Sequence, residues 1–568
     1  MVKRLIQKYT RRRFSNRHIN PEDIFVDSQN LPAFDQHQFE GRIEHPISKR
    51  AVVGVVFVFC LLGLGYIGQV WKLQITRGAA FAESSEQNRL QHSSVFANRG
   101  IIYDRNGTPL AWNVSNTELD FSERQYINTP GFGNLLGYIK YPKKDKAGFY
   151  YDDTFQAFGG IESFYNDRLA GVNGLKIVET NALQEIVGDN TIKQPESGDN
   201  VTLTIDAELQ AIFYKSISEV AEQVGFTGGA GIMINVNTGE VLAVTSYPEY
   251  DPNVLTKGED QETISAWLND SANRFLNRAT KGLYTPGSIM KPFVALAGLN
   301  EGVVTPSTII VSEGEMKVPN PYDPDNPTYF SDWKAHGPVN VRQALAFSSN
   351  IYFYQVGGGY TPTGQKGVGI TKLEEYFNEF GFGSAINDPF LGGPSGTIPN
   401  PKWKAENFDG EDWVLGDTYF TSIGQYGVQI TPMQFARALS AIANGGTVLV
   451  PKIIADDATY ITKQITRIDE QHFKTVRAGM RDGVDFGTPR GLNIPEVAIA
   501  GKTGTAELGV SKARVNSWVV GFYPYEKPKY AFVIVMEQGS RTNLIGGVAV
   551  MRRVLDWMRV YAPEYLTE

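Results

Sequence analysis

From Ala51 to Val70 the chain reads AVVGVVFVFCLLGLGYIGQV, about 20 residues without a charge. A helix rising 1.5 Å per residue needs about that length to cross the roughly 30 Å apolar interior of a bilayer. The run therefore predicts one membrane anchor over 49–72. Lys3, Arg4, Lys8, Arg11, Arg12, Arg13, Arg17, Arg42, Lys49 and Arg50 all lie on its N-terminal side. By the positive-inside bias, residues 1–48 form a cytoplasmic tail and everything after Trp71 lies outside. Ala80-Phe81-Ala82 has the small-x-small pattern of a signal cleavage site. The apolar run is longer than a signal h-region and the tail longer than an n-region, so the anchor is expected to stay uncleaved. Topology alone accounts for the Arg-rich tail.

This placement restricts the chemistry available outside. The only cysteine, Cys60, falls inside the span, which leaves neither disulfide nor thiol nucleophile beyond it. Of the histidines only His92, His336 and His472 lie outside, none at ligand spacing, so neither metal nor cofactor is expected. A Ser-His-Asp triad would have to recruit one of those three. A net charge of −8 gives no reason to expect nucleic acid.

At 568 residues the chain exceeds one compact core, and two or three domains are expected. Residues 73–205 mix short alternating segments with turn signals at Asn106-Gly107, Pro130-Gly131 and Asn173-Gly174, which predicts an elongated, β-rich pedestal. At Asp206 the pattern changes: a good N-cap precedes Leu209, Ile212, Phe213, Ile217 and Val220 at helical spacing. GIMINV and EVLAVTS, joined through Asn237-Thr238-Gly239, form a hairpin pattern. EVAIAGKTG, NSWVVGFY and YAFVIVME read as three further strands, and Met551, Val554, Leu555 and Met558 mark a closing amphipathic helix. Residues 206–568 are thus expected to be an α+β domain whose antiparallel sheet is covered by helices.

Within that domain, YTPGSIMKPF places Ser288 three residues before Lys291, behind Pro286 and Gly287. On a helix, residues i and i+3 share a face, so the lysine can reach the serine hydroxyl and, with its pKa depressed, serve as its base. Pro and Gly ahead suit a helix start, where free N–H groups favour a developing anion. Alone, S-x-x-K is far more often a surface serine beside a solvated lysine. Two companions change that: Ser348-Ser349-Asn350, and Lys502-Thr503-Gly504-Thr505 on an expected strand. S-x-x-K, S-x-N and K-T-G in this order are the signature of penicillin-binding proteins and class A β-lactamases. Gly357 to Gly359 lack a G-x-x-x-x-G-K context and are read as a turn.

Here the chain resembles the class B penicillin-binding proteins. NRATKGLYTPGSIMKPF, TGEVLAVTSYPEYDPN and GDTYFTSIGQYGVQITPMQ look like blocks of their transpeptidase domain. RGIIYDRNGTPLA and GGIESFYNDRLAGVNG resemble their pedestal, or dimerisation-type, module. SSNIYFYQVGGGY and the block from Trp413 to Gln434 are more similar to the elongation type, penicillin-binding protein 2, while PGSIMKPF is reminiscent of the division type. Tyr426 stands where the family frequently has glycine.

The resemblance implies a peptidoglycan D,D-transpeptidase that cross-links stem peptides ending in D-Ala-D-Ala and is a target of β-lactams. Carried over by position, Ser288 is the nucleophile, Lys291 its base, Ser348 a proton relay and Asn350 a holder of substrate amide and lysine. Lys502 supplies positive potential from a site open to the cleft. Thr503 and Thr505, around Gly504, hold the terminal carboxylate. The N–H groups of Ser288 and Thr505 form the oxyanion hole. The resemblance further implies an inner-membrane location and a separate polytopic glycosyltransferase of the shape, elongation, division and sporulation (SEDS, RodA-like) type, contacted through residues of about 50 to 205. A β-lactamase, a D,D-carboxypeptidase, a division-type enzyme and a penicillin-binding sensor or scaffold without turnover share part of these motifs. A sensor should carry a cytoplasmic output domain, and the class B pedestal argues against a carboxypeptidase.

Overall fold

The computed structural model describes residues 48–79, 81, 90–146, 150–180, 186–320, 323 and 325–567. Two compact units divide the chain between Asn88 and Arg89. In the first, helix α1 (Lys49–Trp71) begins at Ser48, whose Oγ accepts the Ala51 N–H at 3.2 Å. It runs on through a wider turn, Lys72–Thr76, so that 28 residues form one helix long and apolar enough to cross a membrane. None of the α1 side chains is buried, as a segment solvated by lipid requires. The basic tail through residue 47 and the small residues Ala80 and Ala82 lie outside the described residues.

The second unit opens with the pedestal. Strands Ile102–Tyr103, Pro109–Val114 and Glu123–Tyr126 pair antiparallel, and Val201–Thr202 joins Ile102–Tyr103 in parallel. A separate three-stranded sheet joins Leu90–Val95, Gly174–Thr180 and Ile186–Lys193. Gly174 starts a strand rather than a turn. The two segments that carry the pedestal resemblance meet at a buried ion triplet. Glu162 Oε2 accepts from Arg99 Nε at 2.5 Å and Oε1 from Arg124 Nε at 2.7 Å, with all three side chains at most 2 % exposed. Burial pushes the Glu162 carboxyl up, but the two guanidinium charges outweigh it and hold the group below its ordinary range.

Asp206 caps helix α2 (Ala207–Val224), accepting the N–H of Glu208 and Leu209. Its Oδ2 also accepts from Asn106 Nδ2 and from the Tyr565 hydroxyl, tying pedestal and C-terminus to the same helix start. The hairpin follows as β1 (Gly228–Asn235) and β2 (Val241–Tyr247), and the late strands as β3 (Ala500–Leu508), β4 (Arg514–Tyr523) and β5 (Tyr530–Ser540). They form one antiparallel sheet in the order β2-β1-β5-β4-β3, with β3 at an edge.

Alternation along the strands divides the core. Met233, Phe532, Ile534 and Met536 face α2 and the closing helix Gly547–Tyr561, whose Met551, Val554, Leu555 and Met558 are buried there. Ile232, Ile234, Val533 and Val535 face the opposite side, toward α3 (Lys291–Asn300) and Pro432–Ala443. That second cluster also takes in Ile102, Leu110, Leu136, Ile161 and Val201, so pedestal and catalytic region share one apolar core. Gly357 and Gly358 close a helix, Asn350–Gly358, and Gly359 with φ 83° ends it. The expected turn is therefore a helix terminus, where glycine takes without steric cost the positive φ that ends the helix.

Candidate active site

Gly287–Met290 is a 3₁₀ turn that leads into α3, not the first turn of an α-helix. Three residues per turn stack i over i+3, so Ser288 and Lys291 still share a side. Gly287 sits at φ 62°, and its N–H donates to Gly424 O at 2.9 Å. The turn is clamped on two sides by glycines. A Cβ on Gly504 would fall 2.8 Å from Pro286 O, and one on Gly424 would fall 2.2 Å from Gly287 O. Trp518 Nε1, on β4, donates to Thr285 O at 3.1 Å and fixes the approach to the turn. Ser288 ends half-buried at the cleft, while Lys291 beneath it is fully buried.

Helix α4 (Val341–Phe347) stops at Ser348, a non-glycine residue at φ 60°, and α5 (Asn350–Gly358) starts immediately beyond Ser349. This left-handed break costs about 1–2 kcal/mol. It turns Ser348 and Asn350 toward Lys291. Lys291 Nζ donates to Ser348 O at 2.8 Å, Asn350 Oδ1 at 2.7 Å and Ser348 Oγ at 3.3 Å. From β3, Lys502 Nζ donates to the same Ser348 Oγ at 2.7 Å and to Thr503 O at 2.9 Å. One hydroxyl thus accepts from two buried lysine side chains.

Three of the expected residues form this cluster with Ser348, and the rest flank it. Gly504 packs on the nucleophile turn, Thr503 donates to Thr488 Oγ1 at 2.6 Å, and Thr505 is exposed. Lys291 is turned toward Ser348 and Asn350, and among the described residues no hydrogen bond joins it to Ser288. One expectation needs correction. Lys502 does not open to the cleft: it is 0 % exposed, since β3 packs its inner face against the helix Glu470–Phe486 and the turn.

Burial depresses both lysines. Lys291 is brought down to about 7 by desolvation, with the Asp332 charge opposing. Lys502 falls well below its ordinary value through desolvation first and the neighbouring Lys291 charge second. A lysine near 7 is neutral in a large fraction of molecules at physiological pH and can accept a proton.

Asp332 and Gly424 were missed from the sequence. Asp332 lies 16 residues ahead of Ser348 in SDWKAHG, and D-x-x-x-H was its one local hint. His336, which looked uninformative, is buried with Nε2 3.6 Å from Asp332 Oδ1. Tyr426 has φ 57°, which explains why glycine suits that position. Here its ring is stacked on Phe408 and edged by Trp403 and Trp413, contacts a glycine would lack.

The profile of the penicillin binding protein transpeptidase domain matches residues 229–556, and that of the penicillin-binding protein dimerisation domain matches 120–203. The chain is 27% identical over 617 aligned positions to the peptidoglycan D,D-transpeptidase MrdA of Escherichia coli (strain K12), covering 89% of this chain and 93% of that protein. It superposes on Pseudomonas aeruginosa PBP2, solved in complex with WCK 5153, with a TM-score of 0.65 at 28% identity, covering 82% of this chain and 96% of that one. A chain of a peptidoglycan synthase complex that coordinates polymerization and crosslinking gives 0.68 at 25% identity, with coverage of 90% and 98%. With the profile spanning more than half of its length and the three motifs gathered around one serine hydroxyl, this chain belongs to the penicillin-binding protein transpeptidase family, in its class B form with a dimerisation domain.

Proposed function

We propose that the protein is a serine-type peptidoglycan D,D-transpeptidase of the elongation type, acting through an acyl-enzyme on Ser288. The observation that carries this reading is the convergence of Lys291 and Lys502 on Ser348 Oγ beside the turn that presents Ser288. Neutral Lys291 takes the Ser288 proton as Oγ bonds to the carbonyl carbon of the penultimate D-alanine. N–H groups of Ser288 and Thr505 stabilise the oxyanion, a contribution of roughly 3 to 4 kcal/mol per donor. Both lone pairs of Ser348 Oγ are occupied by the lysines, which leaves its own proton available to the leaving amine. That amine departs as D-alanine, Ser348 is re-protonated from Lys291, and an ester to Ser288 remains. An amine of a neighbouring stem peptide then attacks the ester and releases Ser288, forming the cross-link.

Asn350 holds the lysine and the substrate amide, while Thr503 and Thr505 receive the terminal carboxylate, with the buried Lys502 donating to Ser348 Oγ and Thr503 O beneath them. As the edge strand, β3 offers unpaired backbone groups to an extended peptide. The same reading divides the chain into a cytoplasmic tail (1–48), an anchor (49–72), a pedestal (73–205) and a transpeptidase domain (206–568). It places the N-terminus in the cytoplasm and the catalytic domain outside the inner membrane, on the strength of the basic residues before α1. The partner is a RodA-like polytopic glycosyltransferase, since no segment of the chain offers a second catalytic motif. Labelling with a fluorescent penicillin followed by mass spectrometry of the modified peptide is the test. Adduct on Ser288 and its loss in Ser288→Ala are expected; labelling that survives the substitution would sink the assignment.

A further inference from the structure

Asp332 follows the strand Thr328–Ser331, and its side chain is 0 % exposed. Oδ2 accepts from Ser349 Oγ at 2.8 Å, from the N–H of Asn350 at 2.8 Å and of Ile351 at 3.1 Å, and from Ser312 Oγ at 3.0 Å. Oδ1 accepts the Trp333 N–H at 2.9 Å. Three of these donors are the N-cap and the first two helical residues of α5, the helix that presents Asn350 to Lys291. A buried carboxylate would be expelled without such partners. Here it gathers them from the segment that must be immobile for the lysine to be held.

We infer that Asp332 is a positioning residue: it fixes the start of α5, and through it Ser348 and Asn350, around Lys291, and it provides the negative charge that the buried ammonium faces. This rests on the reading of Ser288 and Lys291 as nucleophile and base. Lys291, Lys334, His336, Lys502 and Tyr354 are the other titratable groups around this region. Burial pushes the Asp332 carboxyl up, but the Asn350 N–H, the Lys291 charge and the Ser349 hydroxyl bring it below its ordinary value, so it is ionised at neutral pH. Burial depresses His336 against the pull of Asp332, whose Oδ1 lies 3.6 Å from its Nε2. A neutral imidazole leaves the carboxylate charge uncancelled, available to Lys291.

The test is the pH dependence of penicillin acylation in the full-length protein and in Asp332→Asn, with Asp332→Ser as a second variant should the first not fold. Removing the negative charge disfavours protonated Lys291, so the acid limb of the profile is expected to move to lower pH by about one unit. Misplaced Asn350 and Ser348 are expected to lower the high-pH plateau about tenfold. A purely architectural carboxylate would lower the plateau and leave the limb in place. An unshifted limb, a wild-type plateau, or loss of the thermal transition in both variants would overturn the inference. Mass spectrometry keeps the two readings apart: adduct elsewhere than Ser288 in the wild type overturns the functional reading itself, whereas adduct on Ser288 with an unshifted limb overturns only the role of Asp332.

Discussion

Lys291 and Lys502 are the same residue type and donate to the same Ser348 hydroxyl, yet their surroundings divide their tasks. Lys291 faces the ionised Asp332 and settles at about 7, which suits a base. Protonation removes that base, so acylation should rise with pH through a single ionisation near 7 and then level off. Stopped-flow acylation from pH 5.5 to 9 measures this, and a flat profile would mean that another group takes the proton. Lys502 has no such counter-charge and spends its hydrogen bonds on Ser348 Oγ and Thr503 O. Lys502→Ala therefore removes a donor from the relay and opens a buried cavity. We expect acylation to fall by about 100-fold or more and the thermal midpoint to drop by several degrees, roughly as for other large-to-small core changes. An unchanged midpoint would contradict the observed burial.

The nucleophile turn, α5 and β3 meet through glycines and a helix break rather than through large side chains. Gly424 approaches the turn so closely that any side chain would displace Gly287, and its own φ of 73° favours glycine independently. Gly424→Ala should thus move Ser288 while leaving the two apolar clusters on the faces of the sheet intact. The expected outcome is acylation slowed about 100-fold, as for other displacements of about 1 Å, with the folded state retained by circular dichroism. Acylation at the wild-type rate would show that the turn can yield. S-x-x-K and K-T-G were legible in the sequence because each is a short contiguous string. Gly424 was not, because its role depends on a carbonyl more than 130 residues away in the chain, beyond the reach of any local pattern.

Across the molecule, the pedestal and the transpeptidase region are joined by a common core and by polar ties such as Glu249, which accepts the N–H of Gly131 and Gly133. Burial pushes Glu249 up to about 7 despite those backbone donors. The keystone on the pedestal side is Glu162. Glu162→Gln leaves two buried guanidinium groups facing a neutral amide, at a cost of about 3–5 kcal/mol. Chemical denaturation should show that loss above pH 5, and it should shrink as pH falls, because the depressed Glu162 carboxyl stabilises the fold only where it is ionised. A variant as stable as the wild type would show that water or relaxation satisfies the arginines.

The membrane-length helix, the hairpin, the three late strands and the closing helix were all readable in the linear chain. Each is dictated by a period of 2 or 3.6 residues, by a charge-free length, or by a turn between neighbours, and these are short-range properties. Family membership was legible for a related reason, since its motifs are contiguous. The burial of Lys502, the pairing of His336 with Asp332 and the Arg99–Glu162–Arg124 triplet had no such trace. Lys502 meets Ser348 across 154 residues and Arg99 meets Glu162 across 63. A side chain's dielectric surroundings, and hence its charge and its chemistry, follow from which distant segments pack around it, and that packing exists only once the chain has folded.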